Sequence, residues 1–106
     1  MEAALKALAE PNRRRILQLV RDDELTAGEI ASHFEVSRPA VSQHLTVLKE
    51  AGLVHERRNG TRRLYSVRPE GLADLKAFLE GFWDERLEAL KREAEREERK
   101  KRGKHD

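Results

Sequence analysis

Between Ser37 and Thr46 the chain gathers side chains suited to touching a nucleic acid: Ser37, Arg38, Pro39, Ala40, Ser42, Gln43, His44 and Thr46. An arginine can donate two hydrogen bonds to a guanine edge and a glutamine can pair with adenine, while alanine and proline permit close approach or contact with a thymine methyl. Ser42, His44 and the amides of a helix's first turn suit phosphate oxygens. His44 has a second role open to it on equal terms, bracing its helix from behind. A second group follows at Arg57, Arg58, Asn59, Gly60, Thr61, Arg62 and Arg63. Four guanidiniums around a tight turn fit backbone phosphates or a minor groove, and would position a protein on DNA more than specify sequence.

Other chemistries find little material. The chain has no cysteine, which excludes disulfides, thiolate-bound zinc, iron–sulfur clusters and thiol nucleophiles. No nucleophile, base and stabiliser are grouped, and there is no glycine-rich phosphate loop, so an enzyme is not expected. His33 and His55 stand alone and His105 sits in a polar tail, which favours satisfied or solvated imidazoles over metal ligands. Asp84, Glu85 and Glu88 have helical spacing but no further fixed ligand, so they read as a solvated face. No cofactor and no metal are expected.

With 106 residues, 38% hydrophobic and 40% charged, the chain holds one domain at most, and a partner or second copy would help cover its small core. It lacks the apolar run of roughly 20 residues needed to cross a bilayer, and its start lacks the basic-then-apolar order of a signal peptide. A soluble, cytoplasmic protein without a membrane partner is expected. The 22 Lys and Arg nearly balance the 20 Asp and Glu, yet residues 26–68 carry four acids against seven bases. That local excess is an electrostatic footprint.

The elements that must hold these groups can be read from periodicity and caps. Residues 2–9 are strong helix formers, and Pro11 ends that helix and opens another reaching Arg21, with Ile16, Leu17, Leu19 and Val20 as its stripe. Of Arg13, Arg14 and Arg15, which fan over about 200° of a helix, one is expected at DNA or an internal carboxylate and the rest in solvent. Thr26 with Glu29 forms a capping box, stapled by Leu25, for a short helix from Ala27 to about Phe34. Ser37 caps the next helix, with Val41, Leu45 and Leu48 facing inward, and Gly52 supplies its left-handed stop. Leu53–Arg58 and Thr61–Val67 then read as the only two strands, joined by Asn59-Gly60. From Pro69 a single last helix carries the stripe Leu72, Leu75, Leu79, Phe82, Trp83, Leu87, Leu90 and Ala94, with nothing to stop it before Gly103. The aromatics Phe78, Phe82 and Trp83 are assigned to core and dimer packing rather than a ligand pocket. The expected fold is mainly α with a small β-hairpin: a dimeric winged helix-turn-helix with four helices, the hairpin and a fifth helix. Residues 1–90 form that domain. Residues 91–106 form a charged helical extension, fraying towards its end, whose Lys100, Lys101, Arg102 and Lys104 would add nonspecific DNA affinity.

The runs ALAEPNRRRILQLV at 7–20, ELTAGEIASHFEVSRPAVSQHLTVLKEAGLV at 24–54 and RRNGTRRLYSV at 57–67 together resemble the ArsR/SmtB family of bacterial dimeric repressors. The resemblance covers roughly residues 3–90. It implies that the first and last helices form a homodimer interface, that helix 37–51 enters the major groove, and that the hairpin acts as wing. The interface residues would be Leu5, Leu8, Leu75, Leu79, Phe82, Trp83 and Leu87. Metal sensors of the family carry thiolates in a stretch resembling E-L-C-x-C, which here is Glu24, Leu25, Thr26, Ala27 and Gly28. The positions matching a second, Asp- and His-based zinc site are Asp74, Lys76, Leu87 and Leu90, of which only Asp74 could ligate. The resemblance therefore points to the metal-independent branch, as do Phe82-Trp83 followed by Leu87, Leu90 and Lys91. The implied function is a repressor binding double-stranded DNA at an inverted repeat. The rival readings are a protein-interaction scaffold on the same fold, and a repressor sensing a small molecule or a non-thiol metal.

Overall fold

The computed structural model describes residues 1–103, so Lys104 and His105 lie outside the described residues, as does the side chain of Arg102. In chain order the elements are α1 (Glu2–Leu8), α2 (Pro11–Asp22), β1 (Leu25–Thr26), α3 (Ala27–Ala31), α4 (Arg38–Glu50), β2 (Val54–Asn59), β3 (Arg62–Val67), α5 (Pro69–Glu80) and α6 (Glu85–Gly103). The chain divides into a first compact unit, Met1–Leu75, and a second that begins at Lys76.

The core of the first unit comes from the helix stripes. Ala4 and Ala7 of α1, Ile16, Leu17 and Val20 of α2, Ile30 of α3, and Val41, Leu45 and Leu48 of α4 are buried together with Leu53, Val54 and Leu75. No polar or charged residue joins them among the described residues. The caps are local. The Glu10 carboxylate accepts the Arg13 amide at 3.0 Å to start α2, and Thr26 and Glu29 make both halves of their capping box at the start of α3. Ser37 Oγ accepts the Ala40 amide at 3.3 Å to start α4.

Where α4 ends, Gly52 takes φ +77°, the Leu53 amide donates to the Leu48 carbonyl at 3.0 Å and the Gly52 amide to that of Lys49 at 3.0 Å. This pair of bonds is the Schellman arrangement, whose left-handed residue glycine occupies without a steric penalty.

Four expectations are corrected. The hairpin is not the whole sheet: Leu25 and Thr26 form a third strand opposite Tyr65 and Leu64, in the order β1-β3-β2. Two residues are too few for an alternation to be legible, and the capping box already accounted for Thr26. The hairpin turn is also displaced by one residue. Asn59 pairs with Arg62, so Gly60 and Thr61 are the central residues. Gly60 alone has a positive φ, +66°, as in a II′ turn rather than the I′ turn that Asn-Gly suggests.

The third correction is the length of α3, which ends at Ala31. The His33 and Phe34 amides reach back only three residues, to Ile30 and Ala31, and the Ser32 hydroxyl donates to the Glu29 carbonyl at 2.6 Å. The fourth is the last helix, which is two helices separated by 81–84. The Phe82 and Trp83 amides bond three residues back, to Leu79 and Glu80, and Asp84 Oδ1 accepts the Leu87 amide at 3.0 Å. Glycine at 81 weakens the helix, and an aspartate three residues later offers a new cap, so restarting costs little. Asp84 is exposed, as expected, and in addition caps the second helix. Within this second unit Phe78 and Phe82 meet edge to face with centroids 5.2 Å apart, the Trp83 indole donates to Glu88, and Lys91 lies 5.7 Å over the Trp83 ring.

Candidate nucleic-acid interface

α4 turns Val41, Leu45 and Leu48 inward, and the helical period then fixes what faces out. Ser37, Arg38, Pro39, Ser42, Gln43 and Thr46 are exposed and Ala40 is half-buried. These are the side chains expected to meet base edges, and they share the outer surface of one helix. The structure adds Val47, an apolar residue that is 38% exposed and one turn beyond Gln43. The Thr46 hydroxyl is engaged, donating to the Ser42 carbonyl at 3.0 Å.

His44 is set apart from this surface. It is half-buried on the rear of α4, with Nδ1 3.3 Å from Arg13 Nη1 and 4.0 Å from Glu10 Oε2. Because an arginine can only donate, Nδ1 accepts from Arg13 when the imidazole is neutral, and the proton then sits on Nε2. Of its two expected roles, this geometry supports bracing.

Of the three adjacent arginines Arg14 and Arg15 are exposed, as expected of two of them, and only Arg13 is half-buried. Arg13 donates from Nε to the Ala7 carbonyl at 2.7 Å and from Nη2 to that of Lys6 at 3.3 Å, while Arg14 donates to that of Leu8 at 2.7 Å. They bond carbonyls at the end of α1, a favourable place for cations, and the Lys6 carbonyl also accepts the Ala9 amide at 3.2 Å. Arg15 stacks over the Phe34 ring, 4.8 Å from its centroid. Among the described residues none of the three side chains rests on an internal carboxylate; two of them bond the end of α1 instead.

A cleft of ≈ 460 Å³ separates α4 from the hairpin, lined by Thr26, Ala27, Arg38, Ser42, Thr61, Arg62, Arg63 and Tyr65. Its polar lining of three guanidiniums and several hydroxyls suits an anionic chain. A second depression shares Ser42, Arg63 and Tyr65 and continues past Thr46, Lys49 and Glu56. Strand alternation sorts the wing. Arg58 and Arg63 are directly opposite on one face with Glu56 and Tyr65, while Arg57, Asn59 and Arg62 occupy the other face with His55, Leu64 and Ser66.

The wing is not the bare cluster of positive charge that its sequence suggests. Arg57 grips Glu24 with two bonds, at 2.9 and 2.6 Å, Arg62 reaches Glu29 at 3.2 Å, and Arg63 lies 3.5 Å from Glu56. Glu56 also meets Lys49 at 3.4 Å. Burial, followed by the neighbouring Glu56, raises the Tyr65 hydroxyl above its usual pKa. The three carboxylates escaped the sequence reading because Glu24 and Glu29 lie 33 positions from their partners; the only available signal was the excess of arginine at one end of a strand pair and acid at another.

The Arg57 hydrogen bond holds Glu24 below the ordinary carboxylate value of 4.5, and the Thr26 amide and hydroxyl, with Arg62, do the same for Glu29. A carboxylate depressed in the folded state adds stability that is present above 4.5 and lost as the pH falls below it. The amide resonances of Arg57 and Arg62 are therefore expected to hold steady from neutral pH down to 4.5 and to move together below it. Side-chain carboxyl carbons of Glu24 and Glu29 that titrate above 4.5 would contradict the assignment.

Among the described residues no group of three or more His, Cys, Asp and Glu could hold a metal ion, and no helix is long and apolar enough to cross a membrane. Of the expected interface residues, Leu75 is instead core in its own chain and Leu8 is half-buried against that core. Leu5, Leu79, Phe82, Trp83 and Leu87 are exposed.

A capped α3, a turn, an α4 with an outward polar face and a hairpin behind it are the parts of a winged helix-turn-helix, and the comparisons agree. The family described as "Bacterial regulatory protein, arsR family" matches residues 10–56. The HTH-type transcriptional regulator Rv2034 of Mycobacterium tuberculosis is 49% identical over 86 residues, covering 81% of this chain and 80% of that one. This chain belongs to the ArsR family. The transcriptional repressor SdpR of Bacillus subtilis is 40% identical over 74 residues, 70% of this chain and 82% of its own. Among solved structures, one described as a possible transcriptional regulator for arsenical resistance has a TM-score of 0.74 at 47% identity, covering 85% of this chain and 94% of that one. The homodimeric winged helix-turn-helix DNA-binding domain Mb0332 of Mycobacterium bovis has a TM-score of 0.64 at 34% identity, covering 76% and 75%. As an ArsR-family member the chain is a winged helix-turn-helix transcriptional regulator.

Proposed function

We propose that this ArsR-family chain is a homodimeric repressor that binds double-stranded DNA in the cytoplasm and has no catalytic activity. The observation that carries the reading is the outer face of α4, where Arg38, Ser42, Gln43 and Thr46 are exposed beside a cleft shared with wing arginines. The repressor named SdpR and the homodimeric Mb0332 domain support repression and pairing by analogy. Two α4 helices related by a two-fold axis enter successive major grooves about 34 Å apart, so the operator is an imperfect inverted repeat that the protein occludes. Metal control is absent in this reading. Where thiolates would stand, Thr26 spends its hydroxyl on the Glu29 amide and Gly28 has no side chain, and Lys76, Leu87 and Leu90 offer no ligand for a zinc held by Asp74.

Selection of bound duplexes from a random pool tests this directly, and two variants test the division of roles. Gln43→Ala is expected to flatten the base preference at one position at a cost of about 1–3 kcal/mol. Arg58→Ala is expected to weaken all sequences alike and to lower the salt slope by about one. Equal effects of both variants on every sequence would contradict the assignment. One observation favours the protein-scaffold alternative: three of the four wing arginines are already paired with the chain's own carboxylates. Failure to bind any duplex at low salt would establish that alternative.

A further inference from the structure

Two wing arginines are held by carboxylates from one short stretch of chain. Arg57 donates from Nε and Nη2 to the two oxygens of Glu24, the parallel fork that a guanidinium also presents to a phosphate. Arg62 donates from Nη2 to Glu29 Oε1, and that same oxygen accepts the Thr26 amide at 3.0 Å. The pairing of β1 with β3 brings these groups together. Arg58, by contrast, has no hydrogen-bond or ion-pair partner among the described residues.

We infer that Glu24 and Glu29 set the affinity of this protein for DNA by withholding Arg57 and Arg62 from the phosphate backbone. The inference rests on the DNA-binding reading of the same surface. A guanidinium held by a carboxylate forms a neutral pair, and a neutral pair displaces no counterion from DNA. The wing therefore acts on the backbone through Arg58 and the more loosely held Arg63, whose contact with Glu56 is 3.5 Å. Both withholding pairs lie at the surface, where such pairs are weak, so the restraint is graded rather than absolute. It moderates attraction to duplexes of any sequence and leaves the bases read by α4 a larger share of the discrimination.

Glutamine tests the idea cleanly. Glu29→Gln keeps the capping box, which accepts either residue at that position, while removing the charge facing Arg62. Glu24→Gln does the same for Arg57 without touching a cap. Equilibrium binding to a mixed-sequence duplex of about 30 base pairs is measured between about 50 and 300 mM salt. Each variant is expected to bind about three- to eightfold tighter at 0.1 M salt, with a log–log salt slope steeper by about 0.9. Glu24→Gln/Arg57→Ala is expected to return to the wild-type slope, and Arg57→Ala alone to leave that slope unchanged.

Slopes and affinities of both glutamine variants equal to or below wild type would overturn the inference while leaving DNA binding intact. So would a gain that persists in Glu24→Gln/Arg57→Ala, because it would report only the loss of a negative charge. A wild-type protein that is folded but binds no duplex would overturn the DNA-binding reading and the inference together, a pattern distinct from the other two.

Discussion

Gly71→Ala is expected to destabilise the fold by about 3 kcal/mol, which for a domain of this size lowers the melting temperature by roughly 12–24 °C. A Cβ at position 71 would stand 2.0 Å from the Gly52 carbonyl oxygen, 2.9 Å from its carbon and 3.4 Å from Leu53 Cδ2. The obstacle is backbone, and it is backbone that cannot retreat. Gly52 is fixed at φ +77° by the amide bonds that close α4, and the Leu53 carbonyl accepts the Arg68 amide at 2.9 Å. Relief requires α5 to lift away or the end of α4 to reopen. Other glycines supply the contrast. Nothing lies within 4 Å of a Cβ at Gly60, so alanine there meets only the strain of its left-handed backbone, about 1–2 kcal/mol. At Gly28 the nearest atoms are 3.9 Å away and the residue is helical, so alanine is expected to be neutral or slightly stabilising. Thermal unfolding of the three variants checks this order. A Gly71→Ala protein within 1 kcal/mol of wild type would show that α5 does not lie against the end of α4.

The second large effect concerns pairing of chains. Leu79, Phe82, Trp83 and Leu90 are between 52% and 61% exposed in one chain, a concentration of large apolar surface that a monomer does not usually carry. Trp83 contributes little to its own chain, meeting Glu88 and Lys91 at the surface. Phe82→Ala/Trp83→Ala is therefore expected to leave the unfolding transition of the first unit in place while abolishing the dimer at micromolar concentration. Affinity for an inverted-repeat duplex then falls about 10²-fold or more, because the second half-site is no longer engaged intramolecularly. Sedimentation and duplex titration read the two losses separately. A monomer that binds the full site with undiminished affinity would contradict the pairing of function with dimerisation.

The contrast between legible and illegible parts of this chain follows from the range of the forces involved. Ser37, Thr26 with Glu29, and Gly52 announce their roles within four residues, because a cap is a bond between near neighbours, and the structure shows each acting as expected. The stripe Val41, Leu45, Leu48 fixes the outer face of α4 by periodicity alone. What the chain does at long range was not legible. Strand β1 is two residues long and exists through its partner β3. The carboxylates on Arg57 and Arg62 come from 33 residues away, and the basic patch looked uncompensated until strand register was known. The interruption at 81–84 has local marks in Gly81 and Asp84, which went unread because a regular apolar stripe runs straight through them. The turn position was missed for a related reason: Asn-Gly favours one register, whereas the register adopted sets Tyr65 directly opposite Glu56 and Val67 directly opposite Val54.

Arg13 has a wider consequence. Its guanidinium spans the carbonyl end of α1 and the His44 imidazole of α4, and its amide is the one that the Glu10 carboxylate caps. These contacts brace α4 from its rear, beside the buried Val41, Leu45 and Leu48 that seat it in the core. The exposed side chains of Arg38, Ser42 and Gln43 stand outside that brace. On the DNA-binding reading proposed above, a lineage built on this scaffold can drift towards new operators one side chain at a time while the frame that offers them stays put.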